Sequence, residues 1–592
     1  MTTSHLTVFP VGLMVSPDPL PNAPRTAVYP GYAAEILSHA GIPFRPLPLE
    51  RLCDDLGGVR ILVAVGCHDL EPATQEHLSS WVRGGGALIA VSGACGIARE
   101  IGVEIEKPAY SPWAGGIATL GEGYLAGDPD HPILCHLRIP LHFFGGMAMR
   151  CSGQGAIARV LGAHQSPTER AGIVERVLGA GRVILIAPDV TGTIVRIQQG
   201  ICVTRDGVPA PDGTATRSDG VLKSDDGAVL DWDFDRQPVE GVAGFRAFLE
   251  PVADLWREVL IRAVLHLARE QGVPLPVLWM YPNGAEAIAH LSHDSDLNDP
   301  EDARHLLEVL HGEAVRSTWC IVTPGYARDV LGELRAAGHE LAMHYDAMSE
   351  GRDWSEEEFH AQFVELQNLF DGDAPAVNKN HYLRWEGDTA FFDWCVAHGI
   401  RLDESKGASK TGEAGFNFGT CHPYFPVRWG GALIDVLELA TPTQDIGVFA
   451  PPELLPPLLA AVVRCHGVLH LLSHPAHVRK PGVAEALVRA LRTVRDAGLE
   501  WWTAQEIDRW ERARRGFTWD RYEASGSGVK IGFTAGDAMR GATILWLGDR
   551  LAAAAANGAP VSSRRLTRWG FEFLSVELDA GAGESVTMEV GT

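Results

Sequence analysis

Hydrophobic and polar positions along the first 190 residues predict strands buried on both faces, separated by amphipathic helices. Residues 59–65 (VRILVAV) and 87–91 (ALIAV) are nearly continuous apolar runs, the pattern of parallel strands covered on both sides. Helical periodicity covers 29–40 and 71–82, and a short strand is expected at 44–47. Runs at 156–161 and 179–189 continue the series, so the expectation is a parallel sheet with right-handed crossovers. Residues 203–240 are polar and rich in Gly, Asp and Ser, which reads as a long excursion. A strong helix over 251–271 closes this part, with its proline tolerated in the first turn.

A second strand–helix series starts at 277. Strands are expected at 277–280, 287–291, 317–322, 433–439 and 468–472, and helices at 300–311, 326–337, 354–370, 389–398 and 485–496. After 516 the pattern changes: 529–534, 541–547 and 570–578 alternate apolar and polar residues between turn signals, as in a small β-sandwich. Three domains are therefore expected, 1–273, 274–515 and 516–592.

Composition narrows the partners. The 592 residues carry 50 Lys and Arg against 75 Asp and Glu, a net charge of −25. Such a charge repels phosphate backbones and anionic membranes, so neither nucleic acid nor membrane is an expected partner. No apolar run approaches the roughly 18 residues of a membrane span, and the first residues lack a basic segment and a small-residue cleavage site. Ten scattered cysteines without a CxxC pair suit reduced thiols. The expected location is cytoplasmic.

Four segments carry candidate chemistry: Ser292-His293-Asp294-Ser295-Asp296, Gly338 to Asp346 (GHELAMHYD), Asn380 to Trp385 (NHYLRW) and Leu471 to His477 (LLSHPAH). Asp294 and Asp296 are two apart, so on extended backbone their carboxylates share a side. Carboxylates so close repel unless a cation or proton lies between them. One can hold a divalent metal while the other takes a proton from water. His344 is a candidate nitrogen ligand, and His474 can give a proton to a leaving amine.

In this order the four segments resemble the polysaccharide deacetylases of the NodB-homology type, the carbohydrate esterase family 4, over about residues 274–515. The resemblance implies a distorted (β/α) barrel and a metal-dependent amide hydrolase, an N-deacetylase of an N-acyl amino sugar or glycoconjugate precursor. It implies Asp294 as general base, Asp296 and His344 as metal ligands, Arg384 as the group orienting the base, and His474 as general acid. The metal would be zinc, with Co, Mn, Fe or Ni as alternatives. The family's second metal histidine is here Met348, which leaves Asp346 or His381 to complete the ligand set, and His381 is the expected third ligand. Tyr382, Trp385 and Tyr424 are the expected substrate-binding rings. Met348 also supports a different expectation, a catalytically degenerate carbohydrate-binding or scaffold domain. Hydrolysis of a small non-sugar amide is a third.

In the first domain, Cys95 in VSGACG lies at a strand–turn–helix connection. It resembles the nucleophile elbow of class I glutamine amidotransferase-like domains, flavodoxin-like folds, including the versions in ThuA-type proteins and β-galactosidase accessory regions. No His and Glu partners are assignable to it, so this domain is expected to be non-catalytic and to serve packing, homo-oligomerisation or carbohydrate binding.

Overall fold

The computed structural model describes residues 9–15, 26–68, 70–107, 118–152, 155–207, 220–525 and 528–591. The chain divides into two compact units, each discontinuous in sequence. One comprises Met1–Ile194, Leu255–Gly284 and Glu511–Thr592, and the other Val195–Asp254 and Ala285–Trp510.

In the first unit, Val11–Val15, Ile61–Val65, Ala87–Val91 and Gly181–Ile186 pair in parallel. Ile61–Val65 and Ala87–Val91 are buried at every position, as their uninterrupted apolar runs require. The expected strand at 44–47 shrinks to Arg45–Pro46 on the outer edge. The other half of the sheet departs from the all-parallel expectation. Pro167–Leu178, Ala156–Leu161, Glu122–Gly127 and Leu141–Phe144 follow one another antiparallel beyond Gly181–Ile186. The link between Leu178 and Gly181 is a tight turn with Gly179 at φ +64°, and so short a link can only join antiparallel strands.

Two antiparallel sheets form the C-terminal part of this unit around a shared core that includes Ile531, Phe533, Ile544, Trp546, Val576 and Met588. Leu275–Leu278 belongs here and not to the barrel: it pairs antiparallel with Met539–Leu547 at the edge of the four-stranded sheet. Pro276, which has no N–H to give, suits such an edge. A short apolar run does not announce which sheet it joins, so the expected boundary at 274 precedes the barrel's first strand by more than ten residues.

The second unit is built on a curled, all-parallel sheet of eight strands, numbered here in chain order. They are β1 (Ile288–Asp294), β2 (Thr318–Ile321), β3 (Glu340–Tyr345), β4 (Val377–Asn380), β5 (Leu402–Asp403), β6 (Leu437–Glu438), β7 (Val468–Leu472) and β8 (Glu500–Trp502). Their order is β6-β5-β4-β3-β2-β1-β7, with β8 also pairing against the first half of β1. Helices connect them. Pro300–Glu313 starts on Asp299, whose carboxylate accepts from the N–H groups of Glu301 and Asp302, and Glu356–Leu369 starts on Ser355, both ordinary N-cap residues. The expected strand at 433–439 reduces to the two residues of β6. The polar excursion is largely irregular, and its described part lies against the loop after β4 through the bridges Val203–Gly387 and Lys223–Arg384.

Candidate metal and hydrolytic site

Strand β1 is buried at all seven positions although its sequence, IAHLSHD, is half polar. The period of two sends His290, Ser292 and Asp294 to one side, and all three find polar partners there. His290 Nε2 lies 2.7 Å from Glu404 Oε1, and Ser292 Oγ donates to His470 Nε2 at 2.9 Å. Lys379 of β4 links these layers: its ammonium reaches Ser292 Oγ, Glu404 Oε2 at 3.0 Å and Asp294 Oδ1 at 3.6 Å. Lys379 and Glu404 are wholly buried. Burial alone would lower the lysine pKa, but Asp294 and Glu404 hold it above its ordinary value. Burial likewise works against the Glu404 carboxylate, and Lys379 with the neighbouring histidines keeps it well below its ordinary value. The trio His290, Glu404 and His470 has the composition of a metal site, yet the Lys379 ammonium already supplies its cation.

At the C-terminal ends of the strands, where such folds carry their sites, a second cluster forms. Asp294 ends β1, His344 lies near the end of β3, His381 follows β4, and His474 follows β7. Asp296 is not on extended backbone as expected. It sits beyond the strand with φ +39°, a conformation non-glycine residues seldom adopt, and the turn brings its carboxylate back over the strand ends. His344 Nε2 is 3.4 Å from Asp296 Oδ1 and 3.9 Å from Asp294 Oδ2, and His381 Nε2 is 3.8 Å from Asp296 Oδ1. The ligand atoms of Asp296, His344 and His381 all lie within 4.8 Å of one another.

The surrounding hydrogen bonds fix which ring nitrogens face this cluster. His344 Nδ1 donates to the Lys379 carbonyl at 2.9 Å, and His381 Nδ1 donates to Asp346 Oδ1 at 3.0 Å. Both Nε2 lone pairs therefore point inward, the arrangement that carbonyls and carboxylates impose on metal-bound histidines. His344 Nε2 and Asp296 Oδ1 are buried without a hydrogen-bond partner. Burying such atoms unmatched is costly, and a divalent cation relieves it. Burial would raise the Asp296 pKa, but His344, His474 and His381 bring it down to about 2. Two nitrogens and a carboxylate oxygen fit a zinc-class ion, which as a catalytic centre keeps a further position for water or substrate.

His474 stands on the other flank, its Nε2 3.9 Å from Asp294 Oδ2 and 3.7 Å from Asp296 Oδ2. Asp445 holds it twice, accepting from His474 Nδ1 at 2.6 Å and from its backbone N–H at 2.7 Å, and also accepts from His477 Nδ1 at 2.9 Å. Burial works against a charged ring, but Asp445, helped by Asp294 and Asp296, raises the His474 pKa to about 9. The Asp445 carboxylate thus favours the protonated ring.

Three expected roles do not survive the geometry. Arg384 is spent on Glu386, at 2.6 Å, and on the Ala347 carbonyl, and the cation beside Asp294 is Lys379. Trp385 is fully buried among Trp354, Phe391 and Phe392, with the Lys406 ammonium 3.7 Å from its ring centre. Tyr424 is also buried, and its hydroxyl donates to the Gln198 carbonyl at 2.6 Å. Neither ring can meet a substrate. Tyr382 differs: it is 56% exposed at φ +60°, its ring 4.9 Å from that of His381. At position 348, where the resembled family carries its second metal histidine, the methionine's N–H donates to Asp346 Oδ1 at 2.8 Å, while the second imidazole of the cluster comes from His381. The roles of Lys379, Glu404 and Asp445 were not anticipated, and Asp346, an alternative ligand in the sequence, instead supports His381 from behind. A lysine inside a strand (AVNKN) and an acid just past a strand end (LDES) were the available signals, while Asp445 lies in a loop seven residues beyond β6.

In the first unit, Cys95 has φ +48° and is fully buried. Its neighbour Cys67 and burial push the thiol well above its ordinary pKa, so it is not an activated nucleophile. Among the described residues no helix is long and apolar enough to cross a membrane.

No protein-family model and no curated protein matches this chain. Solved structures do. A protein from Mycobacterium smegmatis assigned as a polysaccharide deacetylase is 17% identical over 40% of this chain and 94% of its own, with a TM-score of 0.32. An allantoinase is 14% identical over 39% of this chain and 92% of its own, with a TM-score of 0.31. A β-galactosidase from Bacillus circulans sp. alkalophilus is 12% identical over 31% of this chain and 29% of its own, with a TM-score of 0.24. Likenesses of this size carry no functional argument, which rests on the side chains.

Proposed function

We propose that the second unit is a metal-dependent amide hydrolase, an N-deacetylase acting on an N-acyl amino sugar or glycoconjugate precursor. The observation that carries the reading is the placement of Asp294 and His474, 3.9 Å apart, beside the Asp296, His344 and His381 donors, which converge within 4.8 Å. Those three residues would hold the ion, zinc first among the candidates. When bound, a divalent ion supplies Lewis-acid charge for an amide carbonyl and lowers the pKa of water.

The chain's own residues do the rest. Lys379 lies on the Oδ1 side of Asp294 and orients that carboxylate. Oδ2, the oxygen nearer His344 and His474, accepts the proton of the attacking water. His474 delivers its Nε2 proton to the departing nitrogen, and Asp445 on Nδ1 fixes the ring and supports its charge, the role of a general acid. Tyr382 offers the sugar an exposed ring face beside the ion.

The test is acetate release from a panel of N-acetyl amino sugars and from ureide-type amides, with zinc, cobalt or manganese added. The expected result is turnover of an N-acetyl sugar that falls by about 10³-fold in Asp294→Asn with metal content unchanged. Full activity in that variant would remove Asp294 as the base. Turnover of ureides alone would remove the sugar.

A further inference from the structure

Away from the hydrolytic site, the first unit contains a cavity of about 700 Å³, within the size range of small-molecule sites. Three arginines line it: Arg60, ahead of strand Ile61–Val65, Arg269, at the end of helix Val252–Glu270, and Arg550, in the turn after Met539–Leu547. Several other arginines of the same unit meet carboxylates, as Arg45 does Asp55, Arg170 does Glu106 and Arg515 does Glu35, while Arg176 bonds carbonyls and a thiol instead. None of the three cavity arginines has a carboxylate within ion-pair distance among the described residues. Arg269 lies over the Phe571 ring, 5.0 Å from its centre, which orients the guanidinium without neutralising it. Asp549 is the single acid on the lining, so the wall carries an excess of two positive charges in a chain of net charge −25.

The rest of the wall is mixed. Val273, Leu547 and Leu551 give it an apolar side. The Tyr522 hydroxyl is committed to the Pro274 carbonyl at 2.7 Å. Burial pushes that phenol up to about 12, and Arg60 pulls against it, which places the Arg60 charge within electrostatic reach of the ring. Unpaired guanidiniums present several N–H donors in the planar fork that suits phosphate oxygens, and the apolar side accommodates a compact body attached to the anion.

We infer that this cavity binds an organic phosphate, a phosphate monoester on a body of monosaccharide size, through Arg60, Arg269 and Arg550. The inference is independent of the hydrolase reading, since no residue of that site takes part.

The test is isothermal titration calorimetry of the full chain with glucose 6-phosphate, inorganic phosphate and glucose. The expected result is binding of one glucose 6-phosphate per chain, weaker binding of inorganic phosphate and none of glucose. Affinity should fall at least 30-fold in the double variant Arg60→Glu, Arg550→Glu, and steeply with added salt. Both positions are solvent-exposed, and an unchanged melting temperature of the unliganded variant shows that it folds. Arg269→Gln, a milder change, should cost at least fivefold. No heat from either phosphate at millimolar concentration, or unaltered affinity in the double variant, would overturn the assignment. Equal binding of glucose and glucose 6-phosphate would overturn it as well, because the arginines would then contribute nothing.

Discussion

Two clusters in this molecule have the same composition and opposite character. In the second unit Asp296, His344 and His381 converge, and in the first Glu175, His131 and His266 do. Glu175 is saturated. His131 Nε2 donates to one of its oxygens at 2.8 Å, and His266 Nε2 and Arg182 approach the other at 3.0 and 3.1 Å. His131 Nδ1 accepts the Ile133 N–H, so its proton sits on the nitrogen that faces the carboxylate. In the second unit the tautomers are reversed, because Nδ1 of both rings donates outward and the inward Nε2 is left with a lone pair. Two imidazoles and a carboxylate are therefore insufficient to define a metal site. The groups behind the rings decide whether the donors face a cation or each other.

The comparison can be broken most sharply by removing each carboxylate. Asp296→Ala should weaken zinc binding by more than 10³-fold, read by competition with a chromophoric chelator, while Glu175→Ala leaves it unchanged. Comparable loss in both would mean that both clusters bind.

Lys379→Met is expected to lower kcat by about 10²-fold with little change in KM or metal content, because Asp294 loses its buried counter-charge. Lys379→Arg should restore part of the rate lost in Lys379→Met, because the buried counter-charge is kept. Asp346→Asn tests the outward bond of His381 and should cost about 10-fold in metal affinity, the lower end for such supporting groups.

Glu175→Gln should touch neither metal nor turnover. Its effect is on stability, about 2 kcal/mol at neutral pH for a largely buried ion pair that loses one partner, discounted for its partial exposure. Burial would raise the Glu175 pKa, but His131 and His266 hold it well below the ordinary value. A depressed carboxylate pKa adds stability above the unfolded-state value of about 4.3 and loses it as pH falls. The difference between wild type and variant in urea unfolding should thus shrink below about pH 4. A difference that grows in acid would reverse the assignment.

Local pattern reveals some of this and conceals the rest. The apolar runs of Ile61–Val65 and Ala87–Val91 announce their own burial, and the order of the four motifs puts Asp294, Asp296, His344, His381 and His474 among the expected site residues. What the pattern lacks is long-range pairing. Leu275–Leu278 reads as a parallel strand but completes a sheet with residues 266 to 272 positions later. Trp385 and Tyr424 read as sugar-stacking rings because an aromatic near a motif looks the same in sequence whether it faces a cleft or the core. Arg384 is closer to the obvious motif than Lys379, yet the strand's period of two turns Lys379 toward Asp294. Asp445 and Glu404 come from loops and short strands with no periodicity to mark them.

The central claim is that the barrel cluster, and not its counterpart in the first unit, holds an ion. Elemental mass spectrometry of the protein purified without chelator, as wild type, His344→Ala and His266→Ala, addresses it directly. The account predicts about one transition-metal ion per chain in wild type and His266→Ala and none in His344→Ala. Wild-type protein that takes up no metal, even after addition of zinc, cobalt or manganese, would contradict it.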